Sequence, residues 1–409
     1  MRPALAGALV FLISFAVHGT LAYKWDRLGV FEELDVLFDA DASRMVYGFV
    51  HDGHLHNWRH PNLGALARPW LKAACGAAGV LRVFEVPADC PYYLVCFLAP
   101  LMAALTSACF FAALRACGLS VGQALLWTLL QIVSFSSLVF GSVPESYPFS
   151  GLAMAAAFWL AAQPQRPIHL LGWGALAVAT TAITTSNLIP LLLLFVAVDR
   201  VRTGWWRVAA RAAAVVLIAL LGNGLLLWMS GPEDRGLAWG QAEERTRSYA
   251  ARTLREYPAT LVATVVAPPV RWVENDASLG GGRFVRRVEQ HPPSWPMALA
   301  YAVVVGLIVG LAWLPIEERA EIRALRGGAA AMLVFHLALH CVFRKHDLLL
   351  YSQHWQVPLL FLVLPLRNLD RRRWLAAVLL VAVIGAYNTH QVRRIHDELR
   401  AIAAAPPRS

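Results

Sequence analysis

The feature that most constrains this chain is its series of uninterrupted apolar runs. They fall at 3–23, 92–114, 121–140, 147–162, 168–199, 212–230, 296–315, 327–343, 353–366 and 374–388. Most run to roughly 14 to 22 residues, near the length that crosses a ~30 Å hydrocarbon layer. A soluble chain would divide its apolar residues into periodic faces, whereas here 58% of residues are hydrophobic and the mean hydropathy is +0.53. Only a structure that satisfies its own backbone polar groups survives in that layer, so the expected class is an all-α polytopic transmembrane helical bundle. The run 168–199 exceeds one crossing and falls short of two. Its polar break Thr184-Thr-Ser-Asn-Leu-Ile-Pro190 predicts a hairpin of two short helices. With that hairpin, the expected total is about 11 helices in a single membrane domain spanning 1–409.

Charge sets the expected orientation. The formal charge is +10, a value that also suits nucleic-acid binding. However, Arg2, Arg115, Arg166, Arg200, Arg202, Arg207, Arg211, Arg319, Arg323, Arg326, Arg367 and Arg371–Arg373 all fall in alternate short loops. The positive-inside rule assigns such loops to the cytoplasm. The expectation is therefore N-terminus in and C-terminus out, with no nucleic-acid partner. Loops 24–90 and 231–294 then lie outside, and a short outer tail follows 388. The first run is read as an uncleaved anchor, because its exit Gly19-Thr-Leu-Ala-Tyr-Lys24 is a poor cleavage site.

Polar groups gather in the first long loop. Residues 37–63 hold three Asp, four His and two Arg in a chain only 15% charged. Asp39 and Asp41, at i and i+2, can reach one hydroxyl or cation from a loop, whereas in mid-helix they would diverge by ~200°. One of them could instead cap a helix starting near Ala42, with Asp41 pairing to Arg44. His51, His54, His56 and His60 have spacings open to zinc, but no helix-borne His-Glu-x-x-His accompanies them. Arg59 and His60 precede Pro61 and suit a phosphate. Farther along, Leu63, Leu66, Trp70, Ala74, Ala77 and Leu81 share one helical arc. That arc predicts an amphipathic helix, lying on the membrane surface or packed on the protein. Cys75 and Cys90 could pair on an oxidising side.

Three later segments complete the candidates. Glu145, in Gly141-Ser-Val-Pro-Glu-Ser-Tyr-Pro148, is the lone acid of a very short outer loop. Such a carboxylate is costly without a polar partner or cavity, although a helix-capping role competes. Arg344, Lys345 and His346, with Tyr351 and His354, could form a cationic wall or simply anchor at the interface. The stretch Ser278-Leu-Gly-Gly-Gly-Arg283 lacks the context of a phosphate loop and reads as a turn or lid.

Together these segments resemble the GT-C superfamily of integral-membrane glycosyltransferases, in its branch using polyprenyl-phosphate sugars. The resemblance rests on Asp39-Ala-Asp41 after the first span, Arg59-His-Pro-Asn-Leu63, Pro144-Glu-Ser-Tyr147 and Tyr351-Ser-Gln-His354. The chain departs from many relatives in having Asp-x-Asp for adjacent Asp-Glu, and Asn62 where Pro is common. The resemblance implies sugar transfer from a lipid-linked donor to a glycan, lipid or protein acceptor. The site would lie on the outer face of a bacterial cytoplasmic membrane. It also implies roles. Asp39 would be the general base, with Asp41 and Glu145 as catalytic partners that could hold a divalent cation such as Mg or Mn. Arg44, Arg59, His60, Arg344, Lys345, Tyr351 and His354 would bind substrate or its phosphate. The rivals are a transporter or flippase of lipid-linked intermediates, and an inactive scaffold of the same fold.

Overall fold

The computed structural model describes residues 2–33, 36–50, 62–80, 90–164, 169–229, 249–274, 284, 286–291, 294, 301–302, 306, 319–342 and 347–404. His51, His54, His56, Arg59, His60, Arg344, Lys345, His346, the Gly-rich stretch and most of the run 296–315 lie outside the described residues.

Helices account for nearly all of the described chain: α1 (Pro3–Asp26), α2 (Ala42–Val50), α3 (Leu63–Val80), α4 (Cys90–Ala116), α5 (Val121–Val133), α6 (Phe135–Phe140) and α7 (Tyr147–Ala162). They continue with α8 (His169–Ile183), α9 (Leu188–Arg200), α10 (Trp205–Met229), α11 (Ala250–Val265), α12 (Ala320–Val342), α13 (Ser352–Val363) and α14 (Arg371–Ala404). Five of them, α1, α4, α10, α12 and α14, are long and apolar enough to cross a membrane. α10 leaves Leu217, Leu220, Leu221, Leu225 and Trp228 exposed, as suits a helix facing hydrocarbon.

The local chemistry explains most boundaries. Pro3 opens α1, where a missing N–H costs nothing. Ser120 caps α5 by accepting the Gln123 N–H. Ser134 takes an extended backbone (φ −64°, ψ 146°) and divides the run 121–140 into α5 and α6. Thr184 does the same between α8 and α9 (φ −152°, ψ 122°), so the expected hairpin forms. At 15 and 13 residues those two helices span only about 20 Å each.

Three features differ from the sequence reading. α14 does not stop at 388 but continues to Ala404, giving about 51 Å of helix instead of a short tail. Hydropathy falls after Asn388, yet Val392, Ile395 and Leu399 extend the spacing of Val381, Ile384 and Asn388, and all six are buried. In α3 the buried residues are Leu63, Gly64, Ala67 and Leu71, because small side chains let it approach α4, α8 and α10. Trp70, on the expected arc, is left 76% exposed. Last, loop 231–294 contributes a two-stranded antiparallel sheet, β1 (Val270–Glu274) with β2 (Arg286–Gln290), paired Val270 to Gln290.

An uncharged polar seam joins the helices inside the apolar core. Ser14 bonds Ser107, Ser107 donates to Gln131, and Gln131 donates to Ser137. Ser137 and Ser134 in turn meet Gln356, and Ser136 meets both Ser352 and Gln353. Five helices are thereby linked by side chains that need each other in a dry interior. Gly141 sits where they crowd, since a Cβ there would lie 2.5 Å from the Ser137 carbonyl and 2.6 Å from His18.

The two ends of the bundle differ in charge. At one end Arg115 donates to the Leu119 carbonyl, Arg319 to Cys117 and Arg326 to Leu364, while Arg211 pairs with Asp199 at 2.7 Å. These are among the arginines singled out by their alternation, although Arg115, Arg211 and Arg326 lie within α4, α10 and α12 and only Arg319 lies in a connection. The other end gathers the loops with acids and histidines.

Candidate functional site

Four connections meet at that second end: the loop after α1, the turn 141–146 between α6 and α7, the α8–α9 break, and the segment from Asp347 into α13. β2 lies over them. Leu37 bridges to Val288, with the Phe38 N–H on the Val288 carbonyl at 2.9 Å and the Val288 N–H on the Val36 carbonyl at 3.0 Å.

This stitching forces Phe38 and Asp39 into left-handed backbone, with φ of 53° and 61°. Such residues cost on the order of 1–3 kcal/mol each and persist only where their surroundings over-determine them. Here the Phe38 ring is buried edge-on to Phe135 and Phe140. The Asp39 carboxylate is held from two sides. Oδ1 lies 2.9 Å from Arg287 Nη1, an ion pair without hydrogen-bond alignment, and Oδ2 accepts the Asp347 N–H at 2.8 Å. Arg287 also grips Glu289 at 2.8 Å, and Glu289 meets Arg271 at 2.9 Å. Asp347 accepts the N–H groups of Gln290 and Leu349. Asp39 is thus the anchor of an ionic knot that fastens the loop to the sheet.

Asp41 is placed differently. Its carboxylate is about 30% exposed and meets Arg44 only loosely, at 3.8 Å. Its backbone N–H donates to Glu145 Oε1 at 3.1 Å across 104 residues of sequence. The other Glu145 oxygen accepts the Ser146 N–H at 2.5 Å and the Ser146 hydroxyl at 3.2 Å. Glu145 is 6% exposed, and burial, with the Asp41 carboxylate second, pushes its carboxyl up to about 7. Beside it lies a tight cleft, closed even to a water molecule, lined by Met45, Phe49, Val95, Leu98, Ala99, Pro144, Glu145 and Phe149. The cleft is apolar but for that one carboxyl.

Tyr147 leads to a second group of side chains. Its ring contacts Tyr351 and His354, each at 5.5 Å between centroids. His354 Nδ1 bonds Asn187 Oδ1 at 2.8 Å, and His336 and His340 of α12 stand beside them. Tyr351 and His354 are thus gathered around Tyr147, and Glu145 and Asp41 meet. Asp39 shares their loop but turns to Arg287.

Sequence reasoning passed over Arg287, Asp347, Asn187, His336 and His340. Two signals were present: His336 and His340 at i, i+4 in an apolar run, and Asn187 inside the noted helix break. Arg287 and Asp347 carried none, because their partners are set by how a distant hairpin folds back.

A divalent cation finds a poor donor set here. Both Glu145 oxygens already accept N–H groups, and among the described residues no cluster of three His, Cys, Asp or Glu could hold a metal. In α3 and α4, Cys75 and Cys90 form a disulfide with Cα atoms 5.8 Å apart.

Set against models of protein families and against curated proteins, the chain matches none.

Proposed function

We propose that the chain is a membrane-embedded glycosyltransferase, moving a sugar from a polyprenyl-phosphate donor to an acceptor at the bundle end that gathers Asp41 and Glu145. The observation that carries the reading is this meeting of two acids from separate loops, with an apolar cleft beside them. Transfer with inversion needs a carboxylate to take the acceptor hydroxyl's proton as the glycosidic bond breaks. Asp41 fits that role, since its carboxylate is accessible and only loosely paired. Glu145 holds the Asp41 backbone and, with a carboxyl near 7, can share a proton with the site. Asp39 positions the loop through Arg287. The Cys75–Cys90 disulfide, and the arginines that border the short connections at the other end, favour a site outside the cytoplasm.

The test uses membranes containing the full chain and labelled polyprenyl-phosphate sugars. Asp41→Asn is expected to lower transfer by roughly 10²-fold or more, the usual contribution of a general base. Undiminished transfer by that variant would remove the assignment. A second reading, transport of a lipid-linked intermediate, is favoured by the buried histidines of α1 and α12. It requires movement of unaltered lipid across vesicles with no sugar transferred.

A further inference from the structure

The outward face of α14 changes its chemistry at one level, and the proposed reaction makes no use of that change. At ~100° per residue, Leu375, Leu379, Val383 and Ala386 fall on one arc, opposite the buried stripe that runs on to Leu399. Leu375, Leu379 and Val383 are 52%, 66% and 57% exposed, and Ala386 is exposed as well. α14 is long and apolar enough to cross a membrane, so this part of the arc suits hydrocarbon. The next residues on the same arc are His390, Arg393 and Arg394, all exposed. Apolar side chains give way to basic ones within two turns, with no change of face.

Helix length says what the arginines meet. Arg372 stands on the same arc in the first turn and is exposed. Arg393 follows 21 residues later, about 32 Å along the axis. A typical tilt of about 20° brings this to ~30 Å, the depth of the hydrocarbon layer. The two basic groups therefore border one lipid-facing strip. An arginine so placed keeps its carbons against acyl chains while its guanidinium reaches the headgroups. Tyr387, half-buried two turns before Arg394, stands where interfacial aromatic rings collect.

The protein itself makes little use of these cations. Arg394 reaches Gln391 at 3.4 Å, and Arg393 has no ion pair with a described residue. Asp397, the first acid of α14, is a turn farther from the apolar strip and meets His396 at 3.4 Å. Asn388, just before the basic group, holds the Val265 carbonyl and the Ala267 N–H ahead of β1. The face thus belongs to the bundle end that carries the candidate site.

We propose that His390, Arg393 and Arg394 form a binding face for the headgroups of acidic phospholipids at that border of the membrane. A phosphodiester offers the acceptors to which a guanidinium fork donates, and an acidic headgroup adds the net charge that a zwitterionic one lacks. The proposal needs only that α14 cross the membrane, and it stands whether or not sugar is transferred.

Hydrogen exchange on the full chain in micelles, titrated with phosphatidylglycerol or phosphatidylcholine of the same acyl chains, tests this. Exchange over 389–400 is expected to slow as phosphatidylglycerol is added and to stay unchanged with phosphatidylcholine. The effect should weaken with salt, because exposed charges are screened. Each arginine near a membrane surface is worth about fivefold in affinity for acidic lipid, so Arg393→Gln with Arg394→Gln should raise the half-saturating lipid roughly 25-fold. The paired Lys replacements keep the charge and should keep most of the affinity. The proposal is overturned if 389–400 responds alike to both lipids or to neither, or if the Gln pair saturates as the parent does. A dimer in phosphatidylcholine that the Gln pair abolishes would also overturn it, since a second copy would then occupy the face. The two-lipid comparison on the parent decides the matter even where a variant fails to fold.

Discussion

Replacing Glu145 by Gln isolates the energetic consequence of burying an acid between two loops. The carboxyl moves from an ordinary 4.5 to about 7, and each pH unit is worth about 1.4 kcal/mol, so the displacement amounts to about 3 kcal/mol. Its sign follows from linkage. A folded-state value above the unfolded one means that the folded protein holds the proton more tightly. The associated stability is complete below about pH 4.5 and is lost as pH rises through about 7. Gln keeps one carbonyl oxygen for either the Asp41 or the Ser146 N–H, but turns an amide donor towards the other. That leaves a buried donor unmet, at about 1–3 kcal/mol independent of pH. The variant should therefore be less stable than the parent at pH 4.5. The gap should narrow by about 3 kcal/mol, and close or reverse, by pH 8. Unfolding titrations of both proteins in mixed micelles across pH 4.5–8 measure the difference directly. A gap that stays constant over that range would show that Glu145 is ionised throughout, and the argument from burial would fail.

Two further outcomes follow from the same end of the bundle. Arg287→Ala leaves the Asp39 and Glu289 carboxylates half of their partners and should destabilise by about 2 kcal/mol, less than the ~3–5 kcal/mol of a fully buried pair because Arg287 is partly exposed. Adding Asp39→Asn should recover part of that loss, and additive losses in the unfolding titration would contradict the knot. Cys75→Ser opens a link across 15 residues and should lower stability by about 3 kcal/mol. The parent should also resist a thiol-reactive label at both positions until reduced, so labelling without reductant would argue against the bond.

How far the sequence carries can be read from particular residues. Apolar runs foretold α1, α4, α7 and α10, and the polar break foretold the α8–α9 hairpin, because helix formation in an apolar medium is a local matter of length and hydropathy. α14 shows the limit, as hydropathy ends at Asn388 while the helix continues on a stripe that only packing reveals. Alternation of arginine-bearing loops also foretold which connections share an end. The meeting of Asp41 with Glu145, and of Tyr147 with Tyr351 and His354, follows from that parity.

The assignment within the acidic motif was decided elsewhere. Asp39 and Asp41 are alike in sequence, two residues apart, and either could have been the accessible carboxylate. β2 settles it by drawing Phe38 and Asp39 into left-handed backbone and presenting Arg287 to Asp39, which leaves Asp41 free to face solvent. The helices belong to the sequence because each satisfies its own backbone. The choice between two neighbouring acids belongs to the tertiary structure, because it depends on a cation some 250 residues away.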